Sequence, residues 1–211
     1  MPALFLLVLG LLLLAPKALA TEFYSWHGVD TVFTIRPRFE LVLHGRIRSR
    51  EEFNTLEQAR AGPILRWSPG VDKALYGGYY WQPGHTPGAP WVGAHRLFAG
   101  SESRLASRGS GQLTGRLVFE RHFTSVRPSY NRYRAGLRWH WNRRLAPFFT
   151  HEWLAVRQGF HSLRNSGGLR WEIDKGLTLE LGYLYDTRRT AWGGDRQALV
   201  TSLRFHSGER R

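Results

Sequence analysis

The chain has 211 residues, 42% of them hydrophobic, with a formal net charge of +14 and no cysteine. That length suits one domain or one barrel. The lack of cysteine excludes a disulfide framework and a lipid-modified cysteine. Lysine occurs only at 17, 73 and 175, so the basic excess is arginine. The arginines are scattered at alternate positions, not gathered in a block, which argues against nucleic acid as a partner.

The first element is an apolar run from Leu4 to Leu14, broken by Gly10 and followed by small residues at Ala18 and Ala20. This pattern reads as a signal peptide over 1–20, cleaved after Ala20. Its ~12 apolar residues fall short of the ~20 that a spanning helix needs. No later segment approaches that length, so an exported chain that enters a membrane would enter as strands. Residues 21–38 come next, an N-terminal segment or extra strand. YSWHGVDTVFTI looks like a strand, and Arg36-Pro37-Arg38 like a short turn.

From residue 39 the chain alternates with a period of two. Phe39, Leu41, Leu43 and Ile47 oppose Glu40, Val42, His44, Arg46 and Arg48. Leu113, Gly115, Leu117 and Phe119 oppose Thr114, Arg116, Val118, Glu120 and His122. In 131–142 Tyr133, Ala135, Leu137, Trp139 and Trp141 oppose Arg132, Arg134, Gly136, Arg138 and His140. Leu169 and Trp171 oppose Arg164, Arg170 and Glu172. Leu179, Leu181, Tyr183 and Tyr185 oppose Thr178, Glu180 and Asp186, and Leu199, Leu203 and Phe205 close the series against Arg204. Weaker candidates lie at 58–67, 73–82, 91–106 and 146–156. Stretches of about ten alternating residues separated by turns are the signature of a transmembrane β-barrel. Aromatic clusters at strand ends (Tyr79 to Trp81, Trp139 with Trp141, Tyr183 with Tyr185) fit the interfacial positions that Tyr and Trp prefer.

Connections alternate in length. Ser49–Leu56, Gln82–Pro90, Thr124–Asn131 and Thr187–Arg196 are long. Ser68–Asp72, 107–111, Asn142–Leu145 and Asp174–Gly176 are short, and Arg157–Phe160 is intermediate. The expected fold is an all-β, antiparallel, up-and-down transmembrane barrel over 39–205, with ten strands and both ends at the periplasmic rim. Counting 23–35 gives eleven, an odd number; twelve strands is the alternative. Residues 206–211 form a polar tail.

The chain resembles the domain-of-unknown-function 2490 family, whose members are predicted outer-membrane barrels of Gram-negative bacteria. The resemblance rests on Trp26, FELVLHGR with Glu40 and Arg46, RAGPILRW at 60–67, YGGYYW at 76–81 and His95-Arg96. It continues through RLVFERHF at 116–123, YRAGLRW at 133–139, PFFTHEW at 147–153, RNSGGLRWEI at 164–173 and LELGYLYDTR at 179–188. It implies an outer-membrane barrel and transfers no catalytic residue. The HSGERR that follows Phe205 departs from barrels that end on a terminal aromatic.

The expected lumenal ladder is Arg46, Arg116, Glu120, Arg134, Arg138, Arg164, Arg170, Glu172 and Glu180. Unbalanced positive charge in such a wall draws small anions. The same residues, interlocked, would fill a narrow barrel. Arg48, Arg50, Arg127, Arg188 and Arg189 are expected on outer loops, where they could bind lipopolysaccharide phosphates. The bilayer and the barrel-assembly machinery are the other expected partners; no cofactor, metal or catalytic residue is indicated. No His-x-Ser, Gly-x-Ser-x-Gly, phosphate-loop or His-Glu-x-x-His motif occurs. Two alternatives stay open. One is a lipid-modifying barrel enzyme that pairs Glu120, Glu172 or Glu180 with His44, His122 or His140. The other is a soluble periplasmic lipocalin-like carrier, with apolar residues inward and arginines outward.

Overall fold

The computed structural model describes residues 22–50, 55–85, 89–126, 128–189 and 194–207. The expected signal peptide, Arg127 and the last four residues of the tail lie outside these. Among the described residues eleven strands follow one another in a meander. They are β1 (Glu22–Arg36), β2 (Phe39–Arg50), β3 (Thr55–Gly70), β4 (Lys73–Trp81), β5 (Ala94–Arg108) and β6 (Gly111–Thr124). Then come β7 (Tyr130–Trp141), β8 (Leu145–Val156), β9 (Gly159–Asp174), β10 (Leu177–Arg188) and β11 (Arg196–Ser207).

The barrel closes where β1 meets β11, and that pair is parallel, in register from Glu22↔Arg196 to Phe33↔Ser207. All other neighbours are antiparallel. This corrects the count of ten or twelve. Evenness is required only when every pair is antiparallel, and one parallel pair lets an odd meander close. The segment that spoiled the even count is therefore the closing strand. Without it, β2 and β11 would each expose an unpaired edge.

An odd count also separates the ends. β1 starts at the rim that carries connections 51–54, 82–93, 125–129, 157–158 and 189–195, here the loop rim. β11 finishes at the opposite, turn rim, beside 37–38, 71–72, 109–110, 142–144 and 175–176. The expectation that both ends share one rim is thus corrected. Turn chemistry fits the tight hairpins, with Gly109 at φ 58° where a side chain would be strained. Gly159 at φ 111° likewise makes the 157–158 connection tighter than expected.

The two faces separate as the alternation predicts. Leu65, Leu117 and Leu145 point out and are 60%, 62% and 58% exposed, whereas inward Glu120 and Asp186 are 2% and 1% exposed. A polar interior inside an apolar exterior is the reverse of a soluble carrier. Tyr80 departs from the expected aromatic girdle. Tyr79 and Trp81 flank it outward, but Tyr80 turns inward and stacks on Phe98 with centroids 4.6 Å apart.

Inward aromatics lie flat because glycines face them across the strands. Phe98 lies against Gly78, Tyr76 against Gly100 and Phe148 near Gly182. A Cβ on Gly78 would sit 2.7 Å from the Phe98 ring. The rings therefore line the wall and leave the middle of the lumen to polar side chains.

Candidate functional site

The period of two on β6 brings Arg116, Glu120 and His122 to one face, and β5, β7, β8 and β9 add Arg96, Arg132, Arg134, Glu152 and Arg164. Glu120 Oε1 accepts from Arg134 at 3.1 Å and from Arg96 at 3.4 Å. Its Oε2 accepts from Arg132 Nε at 2.6 Å and lies 3.1 Å from His122 Nε2. Arg134 also donates to Glu152 Oε1 at 2.7 Å, an oxygen shared with Arg116, while Arg164 approaches Oε2 at 3.7 Å. Arg164 continues to Asp186 at 3.0 Å, where Arg188 joins at 3.4 Å. The result is one ionic lattice from β5 to β10. Each bond in it is charge-assisted and stronger than its neutral counterpart.

Toward the turn rim, Arg138 reaches across the lumen to Glu180 at 2.6 Å. Arg170 lines a cavity of about 290 Å³ with Arg138, Glu180 and Arg204. Glu172 lies near the end of β9, and its N–H donates to the Arg144 carbonyl at 2.6 Å. At the closing seam Asp30 holds Arg204 at 2.9 Å and His44 at 2.7 Å. Arg46, also from the expected ladder, makes no ion pair or hydrogen bond among the described residues. Its guanidinium is 6.0 Å from the Trp26 ring centroid.

Toward the loop rim the bore is filled. Tyr24, Trp26, Leu184 and Ala198 form a buried cluster, with Leu154 fully buried on β8. Around it Glu22 takes Arg50 at 3.1 Å and Arg196 at 2.9 Å, and Arg48 lies 3.5 Å from Glu57. This corrects the placing of Arg48, Arg50 and Arg188 on outer loops. β2 and β10 run farther than expected, to Arg50 and Arg188, and hold all three as part of the wall. Arg189 follows β10 directly and donates its N–H to the His161 carbonyl at 3.3 Å.

Of the expected acid–base pairs, Glu120 with His122 forms, while His44 goes to Asp30 instead. Sequence reasoning missed Arg96, Glu152, Asp186 and Asp30 as members of the network. The alternation carried their signal. Arg96 and Glu152 lay in weakly patterned segments, and Asp30 in the strand left out of the count.

An apolar-coated closed meander with an ionic interior defines the chain as a β-barrel protein of the inside-polar type. The chain belongs to the family described as "Protein of unknown function (DUF2490)", which matches residues 23–197. None of the curated proteins matches it. Among solved structures it is similar to OmpTdeltaL8 (loop L8 deletion mutant of OmpT), an outer membrane protein of Vibrio cholerae. The identity is 10% and the TM-score 0.41, over 72% of this chain. The match covers 58% of that protein's length.

Proposed function

We propose that this chain is an outer-membrane β-barrel of a Gram-negative bacterium, exported by the segment 1–20, that acts without catalysis and holds an electropositive interior for small anions. The observation that carries the reading is the distribution of faces: leucines and aromatics outward, arginines inward. In hydrocarbon every backbone group needs an internal partner, which a closed barrel supplies. The short-turn rim then faces the periplasm. Positive charge in a low-dielectric wall focuses a field that draws anions and repels cations.

The packed residues near the loop rim favour a chamber entered from the turn rim over a wide pore. A cavity of about 450 Å³ at the turn rim shares Arg66, Glu102 and His140 with the 290 Å³ cavity above it. With Arg48, Arg50 and Arg188 turned inward, lumenal anions account for the arginines better than lipopolysaccharide phosphates do.

The contact between Glu120 and His122 favours a second reading, a lipid-modifying enzyme. Against it, both Glu120 oxygens are occupied by guanidinium groups and the residue is 2% exposed, which leaves no face for a substrate. The test is fractionation of the outer membrane followed by recordings in planar bilayers. Recovery with the outer membrane, and anion selectivity that weakens in Arg134→Ala/Arg138→Ala, are expected; a closed loop rim gives a very small conductance. Cation selectivity, or altered lipid A in cells that overproduce the protein, overturns the proposal.

A further inference from the structure

We propose that Arg46 and Arg60 form a binding site for one oxyanion, a carboxylate or phosphate group, within the lumen. The proposal rests on the anion-biased interior argued above and places its ligand. Arg46 and Arg60 are direct cross-strand partners on β2 and β3. Like charges opposite each other on a sheet destabilise it. Elsewhere the lumen gives such arginines ion pairs with carboxylates, but neither arginine has one here among the described residues. Arg46 has no hydrogen bond or ion pair among the described residues, and Arg60 donates its Nε only to the neutral amide oxygen of Gln82, at 3.0 Å.

The local backbone holds this arrangement. Gly28 lies opposite Arg46, and a Cβ there would sit 3.4 Å from Arg46 Nε. Glycine lets the guanidinium lie along the wall with its remaining donors unused. Both arginines line a cavity of about 330 Å³. The acids of that cavity are already engaged: Asp30 by Arg204 and His44, Glu120 and Glu152 by the lattice, and Glu180 by Arg138.

One more donor points to a missing acceptor. Trp26 Nε1 is buried without a hydrogen-bond partner, and the residue lines the same cavity, its ring centroid 6.0 Å from the Arg46 guanidinium. Buried polar groups are nearly always satisfied, so an orphan indole N–H beside two guanidiniums that have no ion pair calls for an explanation. A planar oxyanion between the forks of Arg46 and Arg60 supplies it, because guanidinium geometry matches carboxylate and phosphate oxygens. The volume falls at the lower end of small-molecule sites, roughly 300–1,000 Å³. Ile64, Tyr80 and Phe98 give one wall an apolar surface on which the body of a carboxylate would rest.

The experiment titrates the full barrel in detergent micelles with benzoate and, separately, with inorganic phosphate, against a chloride background. Heat-dependent gel migration verifies that each variant is folded. One anion per barrel is expected, bound at least tenfold more weakly by Arg46→Gln and by Arg60→Gln. Arg143→Gln, at an exposed arginine of a turn outside the lumen, should bind as the wild type does. Preference for benzoate identifies a carboxylate on an apolar body, and preference for phosphate the free ion. In anion-poor buffer Arg60→Gln should unfold at or above the wild-type temperature, and saturating anion should reverse that order. Equal binding by wild type and both variants, or no binding of either anion by folded wild type, overturns the site. Either result beside an intact anion-selective conductance spares the wider reading, whereas cation selectivity sinks it.

Discussion

Two walls of the same lumen treat arginine in opposite ways. On the wall from β5 to β9, Glu120 and Glu152 together hold Arg96, Arg116, Arg132, Arg134 and Arg164. On the wall from β2 to β3, Arg46 faces Arg60 with no carboxylate between them. Both walls come from the same alternation, with the arginines among the inward positions, so the pattern alone does not produce the difference. Asp30, on neighbouring β1, is held instead by Arg204 and His44. What differs is whether a carboxylate comes within ion-pair distance. Where it does, the arginines are structural filling, because each guanidinium is spent on an internal partner. Where it does not, positive charge is left for something that the chain does not itself contain.

The largest expected effect breaks the first wall. Glu120→Gln keeps the size of the side chain but leaves three guanidiniums without their shared charge. Removing one partner of a buried ion pair costs about 3–5 kcal/mol. Unfolding by urea in detergent micelles measures this, and an unchanged midpoint would mean that the lattice contributes nothing. Next comes the exterior that both walls share. Leu181→Arg should destabilise the inserted barrel by ~2–4 kcal/mol if this position lies near the bilayer midplane. Arg138→Leu, on the inner face, should insert far more normally. Equal insertion defects would refute the assignment of faces.

A smaller change converts the second wall into the first kind. Arg60→Glu sets a carboxylate opposite Arg46 and replaces repulsion with attraction. A cross-strand pair of opposite charge contributes up to roughly 1 kcal/mol, so the thermal midpoint should rise slightly. Benzoate binding should disappear in the same protein. A stabilised variant that still binds benzoate would show that the two arginines are not the site.

Much of this comparison was legible in the residues. Alternation at 39–48 and 113–122 gave the inward faces of β2 and β6, hence the lumenal positions of Arg46, Arg116 and Glu120. It gave positions within a face but no neighbours, because pairing depends on register across strands. Arg46 opposite Arg60 follows from a bulge in the β2–β3 ladder at Arg48 and Ser49, which no local pattern encodes. The closing strand was misjudged for a related reason. Its residues look like a strand, but the parity argument presumed antiparallel closure, and the parallel pairing of β1 with β11 is a property of the whole barrel. Arg48, Arg50 and Arg188 were misplaced because strand ends are set by tertiary pairing, which here carries β2 and β10 past their alternating cores.

The smallest expected effect separates burial from charge as the source of the lattice's strength. At the turn rim Arg104 pairs with Asp72 at 3.0 Å, with side chains 32% and 53% exposed. Its geometry is as good as that of many lattice bonds, and Arg104 also donates to the Val71 carbonyl at 3.1 Å. Exposed ion pairs are nevertheless worth little, because water screens the attraction and holding two long side chains still costs entropy. Arg104→Ala should therefore lower stability by only a few tenths of a kcal/mol, and salt at about 1 M should shrink that further. Glu120→Gln should keep most of its effect in the same salt, since ions do not reach the buried carboxylate. A loss in Arg104→Ala comparable to that in Glu120→Gln would mean that charge pairing, not burial, sets the contrast between the walls. Unequal losses with equal salt sensitivity would place the lattice in contact with bulk solvent.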